Sequence, residues 1–113
     1  MSDSSPFVCN MNALSTEQRA RHSYLAALLS ADLVGVRALR NGYEFEFTFD
    51  AQTYQALTEL TPLEHACCPF FSIAIRLEPG ESLSWQLTGR EGVKQFIRAE
   101  FGSWFQDKPA IQP

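Results

Sequence analysis

The sequence predicts an α+β domain of two layers, in which a four-stranded antiparallel sheet carries its helices mainly on one face. Two observations lead to this prediction: two strand–turn–strand patterns, and three segments whose apolar residues recur at helical spacing. The predicted order is αββαββα. A length of 113 residues and a hydrophobic content of 45% suit a single domain over residues 1–113. Residues 1–8 are expected to form a loose arm and residues 106–113 a C-terminal tail.

The first helix is predicted from a capping signal. In the run STEQ, Ser15 can cap the helix while Gln18 reaches back to the cap. We expect the helix to end near residue 30. Its predicted apolar stripe consists of Tyr24, Leu25, Ala27, Leu28 and Ala31.

The first hairpin is predicted from Asn41-Gly42, which stands between two apolar-rich runs. In the second run apolar and polar residues alternate, so one face of the strand is buried and the other is wet. That alternation is typical of an antiparallel sheet. The residues predicted to point inward are Tyr43, Phe45, Phe47 and Phe49.

A second helix is predicted to begin after the capping residue Asp50 and to reach Cys67. Pro62 leaves two alternatives, because proline removes a helical hydrogen bond. Either the helix is kinked there, or Pro62 begins a short separate helix. Pro69 ends it.

The second hairpin turns at Pro79-Gly80, and a last helix is predicted over residues 90–105. The two strands are expected to bury seven side chains, Phe71, Ile73, Ile75, Leu77, Leu83, Trp85 and Leu87. The helix carries its own stripe of Val93, Phe96, Ile97, Phe101 and Trp104.

Charge and composition exclude several classes of function. The net charge is −4, and the nine Lys and Arg are scattered along the chain, so we expect no nucleic-acid binding. No window has the roughly 18 apolar residues of a membrane span, and the expected location is cytoplasmic. An odd count of three cysteines predicts reduced thiols rather than a disulfide framework.

The stretch LEHACCPFF carries the candidate chemistry. On a helix, Glu64 shares a face with both Cys67 and Cys68. Pro69 biases Cys68 toward extended geometry, which lets two adjacent thiols approach one target. Thiolates with a carboxylate or an imidazole suit a soft ion such as Zn²⁺, Cu(I) or Hg²⁺. The predicted function is therefore soft metal binding, for metal handling or sensing, with the ligand set Cys9, Cys67, Cys68, His65 and Glu64.

The segments Cys9-Asn10, STEQRAR, LEHACCPFF and LTGREGVKQFIRAEF together resemble a group of small uncharacterised bacterial proteins. That group carries Glu-x-x-Cys-Cys-Pro-Phe before a hydrophobic strand and Thr-Gly-x-x-Gly before a last helix. The resemblance spans nearly the whole chain and implies a genuine domain, but it implies no activity. Pro62 departs from the unbroken helix of the pattern.

Two other functions stay open at this point. The cysteines can be core residues of a domain that binds a small molecule or forms a homodimer, because free cysteine is often buried. A thiol-dependent redox enzyme ranks third, since the C-terminal end of a helix and Glu64 both oppose a thiolate. We further expect Glu64 to pair with Arg19 or Arg21, and His22 to be a surface or boundary residue rather than a catalytic base.

Overall fold

The structure, a computed structural model, describes residues 7–106. It confirms an α+β domain with a four-stranded antiparallel sheet. The predicted last helix is divided at Phe101, whose backbone leaves helical geometry. The elements are a 3-10 turn (Met11–Ala13), α1 (Thr16–Asp32), β1 (Leu33–Leu39), β2 (Gly42–Thr48), α2 (Ala51–Cys67), β3 (Ser72–Glu78), β4 (Ser82–Thr88), α3 (Val93–Glu100) and α4 (Gly102–Phe105).

The sheet has the strand order β1-β2-β4-β3, so that the second strands of the two hairpins lie side by side in its centre. Phe45 of β2 is paired with Trp85 of β4. The predicted turn at Asn41-Gly42 is present, and Gly42 is needed for its close approach to β4. A Cβ atom at Gly42 would lie 1.9 Å from the carbonyl oxygen of Leu87.

The helices cover one face of this sheet, as predicted. Phe45 and Trp85 are fully buried there against Phe101 and Trp104. On the same face, Trp85 Nε1 donates a hydrogen bond to Thr61 Oγ1 of α2 at 3.0 Å. Helix α1 packs against α2. The opposite face is polar and includes the pairing of Arg37 with Glu44 and Glu46.

Five predicted core positions are wrong, because the structure leaves these residues exposed: Tyr24, Ala27, Ala31, Phe49 and Leu77. Leu77 is 55% exposed near the end of edge strand β3, and Phe49 is 38% exposed beyond the end of β2. Tyr24 of α1 is 54% exposed, whereas Leu25 and Leu29 are buried. The buried stripe of α1 is therefore rotated by about one residue from the predicted one.

Helix α2 runs through Pro62 as one element, so no separate helix begins there. The proline has no N–H to donate to the carbonyl of the preceding turn. The neighbouring Thr61 hydroxyl donates to the Leu57 carbonyl at 2.7 Å and accepts the Trp85 hydrogen bond. The Thr61 hydroxyl thereby links α2 to the sheet beside the turn in which Pro62 donates no backbone hydrogen bond.

Both ends of the chain extend past the described residues. Residues 1–6 of the predicted arm lie outside them, while Phe7 packs against Phe70 and Phe96 with ring centroids 5.1 and 5.8 Å away. Of the predicted tail, only Gln106 is described. The segment that carries Cys9 is thus anchored on the core at Phe7.

Candidate metal centre

The cysteine pair marks the C-terminal end of α2. Cys67 is its last residue, and Cys68 caps it with φ −128° and ψ 72°, outside helical geometry. The Cys68 N–H still donates to the Glu64 carbonyl at 2.8 Å. Because the chain unwinds at Cys68, its sulfur lies only 3.6 Å from that of Cys67. This is the convergence that the position before Pro69 predicts.

The segment that carries Cys9 lies beside the same end of α2. The N–H of Asn10 donates to the carbonyl of Cys67 at 2.7 Å, which fixes the segment beside the end of α2. Cys9 and Cys68 form a disulfide with their Cα atoms 4.6 Å apart. The expectation of three reduced thiols is therefore wrong for this pair, since the Asn10 hydrogen bond holds Cys9 within bonding reach of Cys68. Cys67 is buried and free.

Glu64 supplies a buried carboxylate to this region. It is only 3% exposed, and its Oε2 accepts a hydrogen bond of 2.7 Å from His22 Nε2 of α1. The predicted pairing with Arg19 or Arg21 is wrong, because Arg21 binds Glu59 and Arg19 contacts Asn12 and Thr16.

His22 was expected at the surface or at its boundary and is half-buried, but its hydrogen bond to Glu64 was not predicted. The signal was present: His22, Leu25 and Leu29 are spaced three and four residues apart and so share one face of α1. Leu25 and Leu29 are buried, and the side chain of His22 is 18% exposed. A stripe drawn through the two leucines would have directed His22 toward α2.

His65, in contrast, lies on the exposed side of α2. It follows Glu64 directly, and adjacent helical residues point about 100° apart. Of the predicted ligand set, the structure thus brings together Cys9, Glu64, Cys67 and Cys68, and it places His65 apart from them.

Two overlapping groups of side chains could hold a metal ion. One consists of Cys9, Glu64 and Cys68, and the other of His22, Glu64 and Cys67. Within each group the ligand atoms all lie within 4.8 Å of one another. Glu64 belongs to both groups, so the five side chains form one continuous cluster.

The cluster disfavours a free thiolate. Burial raises the pKa of Cys67 to about 11, with the Glu64 carboxylate as the second cause. The thiol also donates to the Glu64 carbonyl oxygen at 3.7 Å. Cys67 lies next to the disulfide, but at neutral pH it is a protonated and enclosed thiol, which is a poor nucleophile. A bound cation would reverse this preference, because a metal deprotonates the thiols that ligate it.

Comparison with known proteins adds no assignment. The chain matches no protein-family model, and neither a curated protein nor a solved structure is significantly similar to it. The resemblance to the bacterial Glu-x-x-Cys-Cys-Pro-Phe proteins therefore stays a prediction. Within residues 7–106, no helix is both long and apolar enough to cross a membrane.

Proposed function

We propose that the reduced protein binds a soft metal ion, with Zn²⁺ as the reference case, at the end of α2. Cys9, Cys67 and Cys68 supply three thiolates, and Glu64 supplies the fourth ligand. The observation that supports this proposal is the convergence of three sulfurs and a buried carboxylate from two distant parts of the chain.

The spacing of the sulfurs suits a tetrahedral ion. Zinc–sulfur bonds of about 2.3 Å give an edge of about 3.8 Å between two thiolates in a tetrahedron. Cys67 and Cys68 are already 3.6 Å apart. Once the disulfide is reduced, the sulfurs of Cys9 and Cys68 must separate, since two non-bonded sulfurs repel at bonding distance, and this movement is toward the same edge length.

His22 has a supporting role in this arrangement. A carboxylate that binds metal through one oxygen is commonly oriented by a hydrogen bond to the other. His22 Nε2 donates a hydrogen bond of 2.7 Å to Glu64 Oε2. Because His22 belongs to α1, it orients the carboxylate from a helix that carries none of the cysteines. If Glu64 turns away, His22 is the nitrogen ligand nearest to Cys67.

The disulfide makes binding depend on redox state. The same two sulfurs cannot be joined to each other and both ligate an ion as thiolates, so oxidation of Cys9 and Cys68 removes two of the three proposed thiolate ligands. The proposed role is therefore metal handling or sensing in a reducing environment.

The test is metal stoichiometry on protein reduced and desalted without oxygen. With a chromophoric chelator as competitor, we expect about one Zn²⁺ per reduced chain, and much weaker binding on the oxidised chain. Cys67→Ser should lose this binding, while His65→Ala, an exposed imidazole beside the cluster, should retain it. A circular dichroism spectrum would show that each variant is folded. If the reduced parent retains no Zn²⁺, or if Cys67→Ser binds it as tightly as His65→Ala does, the proposal is wrong.

A purely structural role for the cysteines is the second candidate. The disulfide joins the half-buried Cys9 to the buried Cys68 and closes a separation of 59 residues. This favours a structural cross-link in a domain that acts elsewhere, as a small-ligand or homodimeric protein. The same measurement separates the two candidates, because this one expects no metal on the reduced chain.

A further inference from the structure

A second region of the molecule is rich in positively charged side chains. It is a cleft of about 750 Å³ between the turn of the first hairpin and the start of α3. We call it the basic cleft, and its cationic side chains are Arg40, Arg90, Lys94 and Arg98.

These four cations are scattered along the sequence, and the pairing of strands in the sheet brings them close together in space. Gly42 pairs with Thr88, and the N–H of Gly89 donates to the carbonyl of Asn41 at 3.0 Å. Arg40 on the hairpin turn therefore faces Arg90 and α3. Four of the nine Lys and Arg of a chain with net charge −4 surround one opening, against a single lining carboxylate, that of Glu91.

Outside the cleft, the arginines that the structure describes have acidic or polar partners. Arg21 binds Glu59, Arg37 binds Glu44 and Glu46, and Arg76 binds Glu78. Among the residues that the structure describes, no carboxylate forms an ion pair with Arg40, Lys94 or Arg98. The positive charge of the cleft is thus exceptional on this molecule.

Aromatic rings hold three of the four cations in place. Arg90 lies 4.0 Å above the ring of Phe7, Lys94 lies 5.1 Å from that of Tyr43, and Arg98 lies 4.6 Å from that of Phe105. A ring face attracts a cation and restricts its position. Lys94 and Arg98 also repel each other, since they are four residues apart on α3. An anion between them would relieve that repulsion.

We propose that the basic cleft binds a small molecule that carries two or more phosphate groups. Its volume is that of a small-molecule site. Arginine dominates it, and the planar guanidinium donates paired hydrogen bonds that match phosphate geometry. Helix α3 begins beside it with no side-chain cap, so its first N–H groups and its dipole act in the same direction. The site is independent of the cysteine cluster and of any metal there.

The test uses oxidised, chelator-treated protein, so that the outcome does not depend on the metal proposal. Pyrophosphate and tripolyphosphate are titrated into ¹⁵N-labelled protein at about 0.15 M salt, where exposed charges are largely screened. We expect saturable shifts of the backbone amides at residues 91–95. Lys94→Gln and Arg98→Gln should each weaken binding about tenfold, which corresponds to the loss of one charge-assisted hydrogen bond.

The matched control is Arg76→Gln, which removes an exposed cation that is paired with Glu78 on β3. It should leave pyrophosphate binding unchanged. The proposal is overturned if no saturable shift occurs at millimolar probe, or if Arg76→Gln weakens binding as much as Arg98→Gln. Tighter binding of citrate, an acidic peptide or a single-stranded oligonucleotide at the same amides would overturn the phosphate assignment.

Discussion

Two helix ends of this protein carry opposite chemistry. The C-terminal end of α2, with its partial negative charge, gathers Glu64 and three sulfurs. The N-terminal end of α3, with its partial positive charge, borders the basic cleft, to which the last turn of the same helix adds Arg98. The first set suits a bound cation and the second a bound anion. In each case the helix dipole opposes the charge of the protein's own side chains at that end and favours the opposite charge of the ligand.

The two ends differ in how deeply they are built into the fold. Cys67, Cys68 and Glu64 are buried, whereas Arg40 and Arg98 are exposed. A change at the cysteine cluster should therefore alter both stability and binding. A change in the basic cleft should alter ligand binding with little effect on folding.

The largest expected effect is the loss of the disulfide. In metal-free buffer, reductant should lower the free energy of unfolding of the parent by about 4 kcal/mol, because the bond closes a separation of 59 residues in the unfolded chain. Cys9→Ser should be that much less stable and insensitive to reductant. Urea unfolding measures both. Cys67→Ser keeps the bond and serves as the control, and a parent that does not respond to reductant would refute the pairing.

A smaller effect is expected from the ionisation of Cys67 at high pH. Its folded pKa, about 11, is raised above the ordinary value of 9.0, so the stability it contributes is present below pH 9 and is lost as the pH rises through 11. Two pKa units correspond to about 3 kcal/mol. The measurement is the difference in unfolding free energy between the parent and Cys67→Ala across this window. A difference that does not change with pH would contradict a buried, protonated thiol.

The Glu64 carboxylate should affect both the metal and the thiol. Glu64→Gln should weaken Zn²⁺ binding by about tenfold to a hundredfold, and His22→Gln by about tenfold. Because Glu64 is one cause of the raised pKa of Cys67, Glu64→Gln should also lower that pKa. The ultraviolet absorbance of the thiolate reports the second effect. Glu59→Gln, at the exposed pair with Arg21, is the matched control and should change neither quantity.

The smallest expected effect lies in the basic cleft. Arg98→Gln removes the repulsion with Lys94, four residues away, but also the contact with the Phe105 ring, so the stability of the protein without ligand should change by less than about 0.5 kcal/mol. Thermal unfolding at low and high salt checks this. A clear loss of stability in Arg98→Gln would show that the arginine is part of the folding core rather than of an open binding site.

The local signals in the sequence were sufficient for most of the fold. Asn41-Gly42 and the Ser15 capping box predict elements that the structure contains, because both act within four residues. The failures depend on how the elements pack. Leu77 and Tyr24 fit the apolar pattern of their elements but are exposed, and a single sequence does not reveal which positions the packing covers.

The cysteine cluster was predicted only in part, because only some of its residues are close together in the sequence. Glu64, Cys67 and Cys68 are neighbours along one helix, so spacing alone relates them. The disulfide to Cys9 and the hydrogen bond from His22 span 59 and 42 residues, and they depend on how the N-terminal segment and α1 lie against α2. The basic cleft was missed because pairing between β2 and β4 is what brings Arg40 to α3.

X-ray absorption on the reduced, Zn²⁺-loaded protein tests the central claim most directly. It counts the atoms that surround the ion and measures their distances. The cluster predicts three sulfurs at about 2.3 Å and one oxygen or nitrogen at about 2.0 Å. A shell made of oxygen and nitrogen, or one with fewer than three sulfurs, would contradict the assignment of Cys9, Cys67 and Cys68 as the ligands.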